Sequence, residues 1–534
     1  MRMIRIIVLS FVVLSYAAYG IACTTIIVGK DATADGSIII ARNEDTDGAT
    51  SPQNMIFHPS RKDSRVFKSN SICNSDDNTF ELELPKNSLS YVSFPHWQSE
   101  TKQNLSFEET GINEYGVALS ATETIFNGEQ VLKIDPYLVK TGVTEDSITT
   151  VVLPFATSAK EGVRILGGMV EKIGAGEGFG VAFSDRHEAW YLETASGHHW
   201  LAMRIPDDSY FVSANQGRFQ GADFGDTVNV MSSPGLLDFA IANKLYDPQG
   251  EPFNFFKIFM SNTAHDRTYN YPRVKTLLEM YSNISYEGDD GLYPVFVRPK
   301  KKMSVQDVAS GLRNRYDGTP HDPYQSKNPK EPYRPINVIR TTISHITQTR
   351  RDMPEDLASV QYIALGMADL AAYIPFYQGI TNIPKQYQGA KEMADDTSSF
   401  WKYRKLQALV MQDYPRYAPI AHEAIARLEK DIATRQSAME KEYLKAFRKN
   451  PKAARKLIQA FTDKTVSRQD EMLARLIGKI SVTVQVVTQP GVGFLAGAGQ
   501  GATMAQTPHA GLPCRRASHS PRHSDAAVSV LWPP

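Results

Sequence analysis

A cysteine at the end of a leader-like segment is the first residue in this sequence whose position suggests chemistry. The chain of 534 residues has two arginines near its start and an apolar run over residues 6–13. Small residues follow, and Ala22 directly precedes Cys23. A basic start, a short apolar run and a small-residue end are typical of a secretory signal peptide, here residues 1–22. Cleavage after Ala22 would make Cys23 the first residue of the mature protein.

An N-terminal cysteine combines a nucleophile and a base in one residue. A free α-amine has a pKa of about 7.7–8.0, so near neutral pH much of it can accept the proton of the thiol. A nucleophile that is activated by a base on the same residue is one route to acyl transfer. We therefore predict that Cys23 attacks the carbonyl group of the substrate.

Three other interpretations of Cys23 stay open at this point. A cysteine after a leader can be a lipid-attachment site, although that signal usually has Leu at position −3, where this chain has Gly20. An uncleaved leader could anchor the chain in a membrane, although its apolar run is shorter than the ~20 residues of a spanning helix. The thiol could also be a buried structural group in the first strand.

Two β-branched runs after the cysteine predict a β-hairpin. Residues 24–28 and 38–40 are such runs, and a polar stretch with Asp and Gly separates them. A hairpin brings the end of its second strand beside the start of its first strand. Arg42 and Asp45 would then lie near Cys23. A guanidinium there favours the thiolate, and a carboxylate can hold and orient the new α-ammonium group.

Several motifs occur in an order that resembles one family of enzymes. They are Cys-Thr-Thr-Ile-Ile-Val-Gly over 23–29, Ala-Arg-Asn-Glu-Asp over 41–45, Gly-Ile-Asn-Glu-Tyr-Gly over 111–116, Trp-Tyr-Leu-Glu-Thr-Ala-Ser-Gly-His-His-Trp over 190–200, Ser-Ala-Asn-Gln over 213–216 and Tyr-Asn-Tyr-Pro-Arg-Val over 269–274. The set resembles the secreted cysteine dipeptidases of the N-terminal-nucleophile hydrolase superfamily, relatives of penicillin V acylase and the bile-salt hydrolases. The resemblance extends over residues 23–428.

This resemblance implies a fold and a set of site residues. The fold would be α+β, an αββα sandwich of the N-terminal-nucleophile type with a C-terminal helical extension, and the reaction would need no cofactor. The predicted catalytic positions are Cys23, Arg42, Asp45, Asn215 and Arg273. The predicted substrate-binding positions are Asn113, Thr122 and Glu123.

Two of these positions have structural alternatives. Asn215 follows a strand-like run, and the resemblance implies that its amide donates to the oxyanion or positions the substrate. It could instead begin a turn. Arg273 aligns with a family arginine near the nucleophile, but an arginine at a helix start could equally make surface contacts.

Glu123 marks a departure from the bile-salt branch of the superfamily. That branch places an asparagine for the oxyanion at the end of the strand that here ends in Thr122, Glu123 and Thr124. A carboxylate cannot donate to an oxyanion unless it is protonated. Glu123 is better suited to bind a substrate ammonium group, which favours a dipeptidase over an amidase.

Composition and spacing argue against several other classes of protein. The net charge is zero, so no polyanion-binding surface is indicated and we predict no nucleic-acid partner. Three cysteines in an exported chain of this length exclude a disulfide-dense scaffold. Whether Cys73 and Cys514 pair stays open. The adjacent His198 and His199 would point to opposite faces of a strand, so we predict no metal site there.

The periodicity of the chain predicts strands first and helices later. The strand-like runs are 117–124, 178–183, 189–193, 200–205, 210–214, 336–343, 360–364 and 480–487, and one amphipathic helix spans 159–173. Residues 234–281 and 395–476 are helix-patterned. We predict a signal peptide over 1–22, a dipeptidase domain over 23–390, a helical extension over 391–478 and a largely disordered tail over 479–534.

The sequence therefore predicts an exported, periplasmic or extracellular thiol dipeptidase. Its partners would be small peptide substrates and the signal peptidase that matures it, with no membrane span after cleavage. A homo-oligomer stays open. One alternative is an amidase of the same superfamily that acts on N-acyl amides. The other is a lipid-anchored surface protein without catalysis.

Overall fold

The computed structural model describes residues 23–46, 51–69, 78–98, 103–325 and 333–488, which form sixteen strands and twelve α-helices. The strands are β1 (Thr24–Val28), β2 (Ile38–Asp45), β3 (Ile56–His58), β4 (Arg65–Lys68), β5 (Glu81–Leu84), β6 (Tyr91–Gln98), β7 (Gln103–Asn113), β8 (Ala118–Thr124), β9 (Phe179–Ser184), β10 (Ala189–Thr194), β11 (Trp200–Arg204), β12 (Tyr210–Ser213), β13 (Val230–Ser232), β14 (Thr341–Thr349), β15 (Ser359–Leu365) and β16 (Ile374–Tyr377). The helices are α1 (Glu129–Leu132), α2 (Glu145–Val152), α3 (Ala159–Ile173), α4 (Leu236–Ala242), α5 (Phe255–Phe259), α6 (Asp266–Tyr269), α7 (Tyr271–Tyr281), α8 (Val305–Leu312), α9 (Glu355–Ala358), α10 (Ser399–Val410), α11 (Tyr414–Phe447) and α12 (Pro451–Thr488). The α+β prediction is confirmed.

Two large antiparallel sheets contain most of the strands. The first has the order β12-β1-β2-β14-β15-β16, and the second has the order β13-β11-β10-β9-β8-β7-β6-β3. A separate pair joins β4 and β5. The sheets face each other across an apolar layer that includes Ile27 and Ile40 from the first sheet and Ala118 and Tyr191 from the second. Strand β2 therefore packs directly on strands of the second sheet.

Helices cover the outer face of each sheet. Helices α2 and α3 pack on the second sheet in a core that contains Val163, Leu166 and Trp190. Helices α7, α8, α10, α11 and α12 share a separate core with the first sheet. Each sheet thus buries both of its faces, and polar side chains on the inner faces are removed from solvent.

The hairpin predicted after Cys23 is present as β1 and β2. Its residues pair in the antiparallel register Thr24–Asn43, Thr25–Arg42 and Ile26–Ala41. Isoleucine and valine suit strands that are packed on both faces. All residues of both strands are buried. The hairpin lies inside the first sheet, because β12 pairs with β1 on one side and β14 pairs with β2 on the other.

Helix α3 has the bounds that the sequence predicts, residues 159–173. The side chain of Ser158 accepts a hydrogen bond from the backbone N–H of Glu161 and caps the first turn. Gly174 ends the helix with φ of 93°, a conformation that favours glycine. A β-carbon there would also lie 2.7 Å from the side chain of Leu138. Local signals thus determine both ends of this helix.

The C-terminal half differs from the prediction at two strand-like runs. Of the predicted run 336–343, only residues 341–343 lie in a strand, because β14 starts at Thr341. Residues 480–487 are helical, because α12 continues to Thr488 and buries Ile480 in the core of the first sheet. The predicted tail is therefore wrong for 479–488, and its remainder lies outside the described residues, as does the predicted signal peptide. Within the part of the chain that the structure describes, no helix is both long and apolar enough to cross a membrane.

Candidate active site

Cys23 lies directly before β1, at the edge of the first sheet where the neighbouring strands β2 and β12 end. Thr25 pairs with Arg42 of β2 on one side and with Ser213 of β12 on the other. Continuing this register by two residues places Cys23 between Glu44 and Asn215. Because side chains alternate along a strand, Cys23 shares its face with Thr25 and points into the layer between the two sheets. Its side chain is fully buried.

The sulfur of Cys23 contacts one acidic and one basic side chain, Glu44 and Arg42, both from β2. The Sγ–H group donates a hydrogen bond to Glu44 Oε2 at 3.0 Å. Arg42 Nη1 donates to Sγ at 3.3 Å. The same Nη1 also forms an ion pair with Glu44 Oε2. Thiol, carboxylate and guanidinium are therefore mutually in contact, and all three side chains are buried.

Arg42 is held in place by the second sheet. Its Nη2 forms an ion pair with Glu109 of β7 at 2.8 Å, and its Nε donates to the hydroxyl of Ser120 at 3.1 Å. Backbone carbonyl groups of Ala121 and Thr122 accept further hydrogen bonds. With every N–H direction occupied, the guanidinium has one fixed position between Cys23 and β8.

The thiol is the stable form of Cys23 in this environment. Burial raises the pKa of the thiol well above its usual range, and the charge of Glu44 raises it further, while Arg42 acts in the opposite direction. The expectation that Arg42 favours the thiolate has the correct sign, but burial and the neighbouring acid outweigh it. Attack on a carbonyl therefore needs a group that accepts the thiol proton.

Asp45 lies on the other face of β2 from Arg42 and Glu44. Its carboxylate forms an ion pair with Arg334 and accepts a hydrogen bond from the Thr341 hydroxyl. Alternation along the strand is the physical reason, because residues 42 and 45 differ by an odd number. The structure thus brings Arg42 to the sulfur but directs Asp45 away from it. A role for Asp45 in holding the α-ammonium of Cys23 stays a prediction.

Replacing Arg334 with glutamine should destabilise the protein strongly. Arg334 and Asp45 are both buried, so the change leaves an uncompensated charge in the interior, which costs about 3–5 kcal/mol. Arg267→Gln is the matched control, because Arg267 pairs with Asp289 at 3.4 Å in solvent and should contribute less than about 1 kcal/mol. Urea unfolding of both variants measures the difference. Equal losses of unfolding free energy would contradict the assignment.

Asn215 and Arg273 adjoin the backbone of Cys23. Arg273 Nη2 donates to Asn215 Oδ1 at 2.8 Å, and Nη1 donates to the carbonyl oxygen of Cys23 and to Thr24 Oγ1. Because the carboxamide oxygen of Asn215 is bound by Arg273, its NH₂ group is directed to the other side. Arg273 itself is fully buried, so the surface-contact interpretation is wrong.

Glu123 points between the sheets because strand β8 contains a bulge. The register of β8 against β9 shifts between Ala121 and Glu123, so one extra residue reverses the direction of the next side chain. Glu123 Oε2 accepts a hydrogen bond from Thr25 Oγ1 at 2.7 Å. Among the described residues, no donor reaches its other oxygen, Oε1, which is buried. Burial raises the pKa of Glu123 to about 8, and Arg273 only partly opposes this shift.

The other two predicted substrate-binding residues have structural partners. Thr122 donates its hydroxyl to Glu145 of α2 at 2.7 Å. Asn113 lies at the far end of β7, four residues or about 13 Å along the strand from Glu109. Its amide donates to the carbonyl groups of Leu153 and Ala156 and its oxygen accepts from the backbone of the following turn. The structure does not bring Asn113 to Cys23.

Glu44 and Glu109, which bind Arg42, and Arg334, which binds Asp45, were not among the predicted residues. Glu44 had a signal, because it stands two residues after Arg42 and must share its face of a strand. Glu109 had none, because its inward direction depends on an extra residue in β7 between the pairs Ser93–Gly111 and Pro95–Glu108. No sequence pattern links Arg334 to Asp45.

Metal ligands are not gathered near Cys23 or elsewhere in the described ranges. No group of three or more His, Cys, Asp and Glu side chains within them is arranged to hold a metal ion. His198 instead pairs with Asp135 at 2.7 Å, and His199 contacts the hydroxyl of Ser233.

Comparison with known proteins gives a consistent family. The model of peptidase family C69 matches residues 22–426. A probable dipeptidase of Salmonella dublin is 48% identical over 364 residues, which are 67% of this chain and 82% of the relative. A probable dipeptidase of Latilactobacillus sakei is 37% identical over 400 residues, or 74% and 82% of the two chains. Dipeptidase A of Lactobacillus helveticus is 35% identical over 374 residues, or 68% and 77%.

The match extends over most of the chain and includes Arg42, Glu44 and Arg273, which contact Cys23. Its first residue, 22, is the one before the buried thiol. The chain therefore belongs to peptidase family C69, a family of cysteine peptidases, and is a hydrolase of peptide bonds.

Proposed function

We propose that this chain is a dipeptidase in which Cys23 is the nucleophile and forms an acyl-enzyme. The observation on which this rests is the buried thiol of Cys23, directly before β1, which contacts both Arg42 and Glu44. The names of the related proteins support the substrate class. The two stacked sheets with helices on their outer faces support an αββα fold of the N-terminal-nucleophile type, with α10 to α12 as its helical extension.

The proposed reaction has two covalent stages. Sγ attacks the scissile carbonyl, the C–N bond breaks, and the leaving amine receives a proton. Water then attacks the thioester and restores the thiol. The α-amine of Cys23, exposed by cleavage after Ala22, moves protons among these groups. Proton transfer by a positioned group contributes roughly 10²–10⁴-fold to a rate.

The NH₂ group of Asn215 is our candidate donor to the oxyanion. Arg273 holds the other end of the carboxamide, so the donor is oriented before the substrate binds. A preorganised donor of this kind is typically worth about 2.7–4 kcal/mol in the transition state. Arg273 itself binds the backbone of Cys23 and serves to position it.

The proposal also includes export and removal of residues 1–22. The mass of the N-terminal peptide of the exported protein tests this directly. A free Cys23 at the first position is expected. A diacylglycerol adduct on Cys23 would replace the enzyme with the lipid-anchored alternative, and an intact leader would exclude the amine from the mechanism.

We expect the enzyme to prefer dipeptides with a free α-amine over N-acetylated ones. The buried Oε1 of Glu123 can accept from a substrate ammonium group, whose charge would favour the ionised carboxylate. A charge-assisted hydrogen bond contributes about 1.5–3 kcal/mol, so discrimination of roughly tenfold or more is expected. The measurement is kcat/KM for matched free and acetylated dipeptides, in the wild type and in Glu123→Gln.

Glu193→Gln is the control, because Glu193 is also a buried acid but accepts hydrogen bonds from the backbone of Arg218 and Phe219. The preference should shrink in the first variant and persist in the control. Equal turnover of free and acetylated substrates by the wild type would favour the amidase alternative.

A further inference from the structure

Glu44 contacts the reacting sulfur but has no role in the mechanism described so far. Its Oε2 accepts the hydrogen bond of Sγ–H at 3.0 Å, and both side chains are buried. A carboxylate that is removed from water and bound to a thiol proton is placed to receive that proton.

The charge balance around Arg42 restricts how many acids can be ionised together. Arg42 supplies one positive charge to Glu44, Glu109 and the sulfur. Its Nη1 serves both Glu44 and Sγ, so a thiolate and a Glu44 carboxylate would compete for the same donor. Moving the proton from Sγ to Glu44 avoids two adjacent negative charges. It also leaves the net charge of the cluster unchanged.

We propose that Glu44 is a catalytic residue that accepts the proton of Cys23 when the sulfur attacks, and returns it when the acyl-enzyme breaks down. This inference rests on the proposed function, and it assigns the remaining proton transfers to the α-amine. The two groups would then transfer different protons. Glu44 exchanges the S–H proton with the sulfur, and the amine donates a proton to the leaving nitrogen and accepts one from water.

The steps balance in atoms and charge. The S–H proton passes to Glu44 as the S–C bond forms and the carbonyl becomes an oxyanion. The α-ammonium gives a proton to the leaving nitrogen as the C–N bond breaks. Water then attacks the thioester and loses a proton to the α-amine. When the C–S bond breaks, the sulfur takes its proton back from Glu44.

The basicity of Glu44 suits this role. Burial raises its pKa well above the usual range, Arg42 opposes this shift, and the nearby Glu109 adds to it. The other groups on neighbouring strands leave Glu44 as the acid in contact with Sγ. His96 of β6 binds Glu109 and burial lowers its pKa to about 4, His345 of β14 contacts Ser120, and Glu123 of β8 binds Thr25.

Three variants test the proposal. Glu44→Gln keeps the shape and the hydrogen-bond acceptor but removes the basic carboxylate, so kcat should fall by about 10²-fold or more while KM changes by less than about threefold. Glu44→Asp keeps a carboxylate and should recover at least about tenfold of that loss. Glu109→Gln removes the same charge from Arg42 without touching Sγ, and its loss should stay below about tenfold.

The outcomes separate this inference from the proposed function. If Cys23→Ala is inactive but Glu44→Gln stays within about threefold of the wild type, only the role of Glu44 is refuted. Equal losses of kcat in Glu44→Gln and Glu109→Gln would mean that both acids act only by balancing the charge of Arg42. A kcat of Glu44→Asp no higher than that of Glu44→Gln would mean that no carboxylate is needed at this position. Either result overturns the proposal. Activity in Cys23→Ala would instead refute the proposed nucleophile.

Discussion

Replacing Cys23 with alanine should give a folded protein without peptidase activity. The change removes one sulfur atom, and the ion pairs of Arg42 with Glu44 and Glu109 do not depend on it. It also removes the proposed nucleophile, so no acyl-enzyme can form. The loss of kcat/KM should exceed the roughly 10²-fold effect of a single acid–base group. Dipeptide turnover and the urea unfolding curve, measured on the same preparation, check both parts.

Two inhibitors serve as controls for this prediction. A thiol alkylating reagent should inactivate the wild type, and mass spectrometry should place the adduct on Cys23. A metal chelator should leave the rate unchanged, because the proposed chemistry uses only the thiol and its neighbours. Activity of Cys23→Ala above about a tenth of the wild type would refute the covalent mechanism.

Retaining a single Ala22 before Cys23 should reduce activity by roughly 10²–10⁴-fold, the usual contribution of general acid–base catalysis. With Ala22 attached, the nitrogen of Cys23 is an amide whose lone pair is delocalised, so it can neither protonate the leaving nitrogen nor activate water. The extra residue would also occupy space near Arg42 that the substrate needs. The thiol and Glu44 are unchanged, so the expected loss comes from the missing amine and from the space that the extra residue fills.

The test compares two purified chains, one that begins at Cys23 and one that begins at Ala22. Mass spectrometry before and after the assay must show that the extra alanine persists. A third chain that begins at position 23 and carries the Cys23→Ala change sets the background rate. Comparable rates for the first two chains would show that the α-amine does not transfer the protons.

Local patterns along the chain were sufficient to predict the hairpin and helix α3. The hairpin places Arg42 beside Cys23 because strand pairing is local and the two runs are close in sequence. Helix α3 is bounded by a serine cap and a glycine, both readable from sequence. The prediction of a strand over 480–487 was wrong, because α12 continues through these residues and buries Ile480 in the core of the first sheet. Such packing overrides a weak β-propensity.

Around the thiol, too, some features followed from the sequence and others from the tertiary structure. The sequence by itself predicted Cys23 as the nucleophile, because it follows a leader-like segment, and it predicted the family, which the match over residues 22–426 confirms. Only the tertiary structure decided which other acids lie between the sheets near Arg42 and Cys23. Asp45 turns to Arg334, 289 residues away, whereas extra residues in β7 and β8 direct Glu109 and Glu123 inward. The reason is that side-chain direction in a sheet depends on register, and neighbouring strands that are distant in sequence set that register.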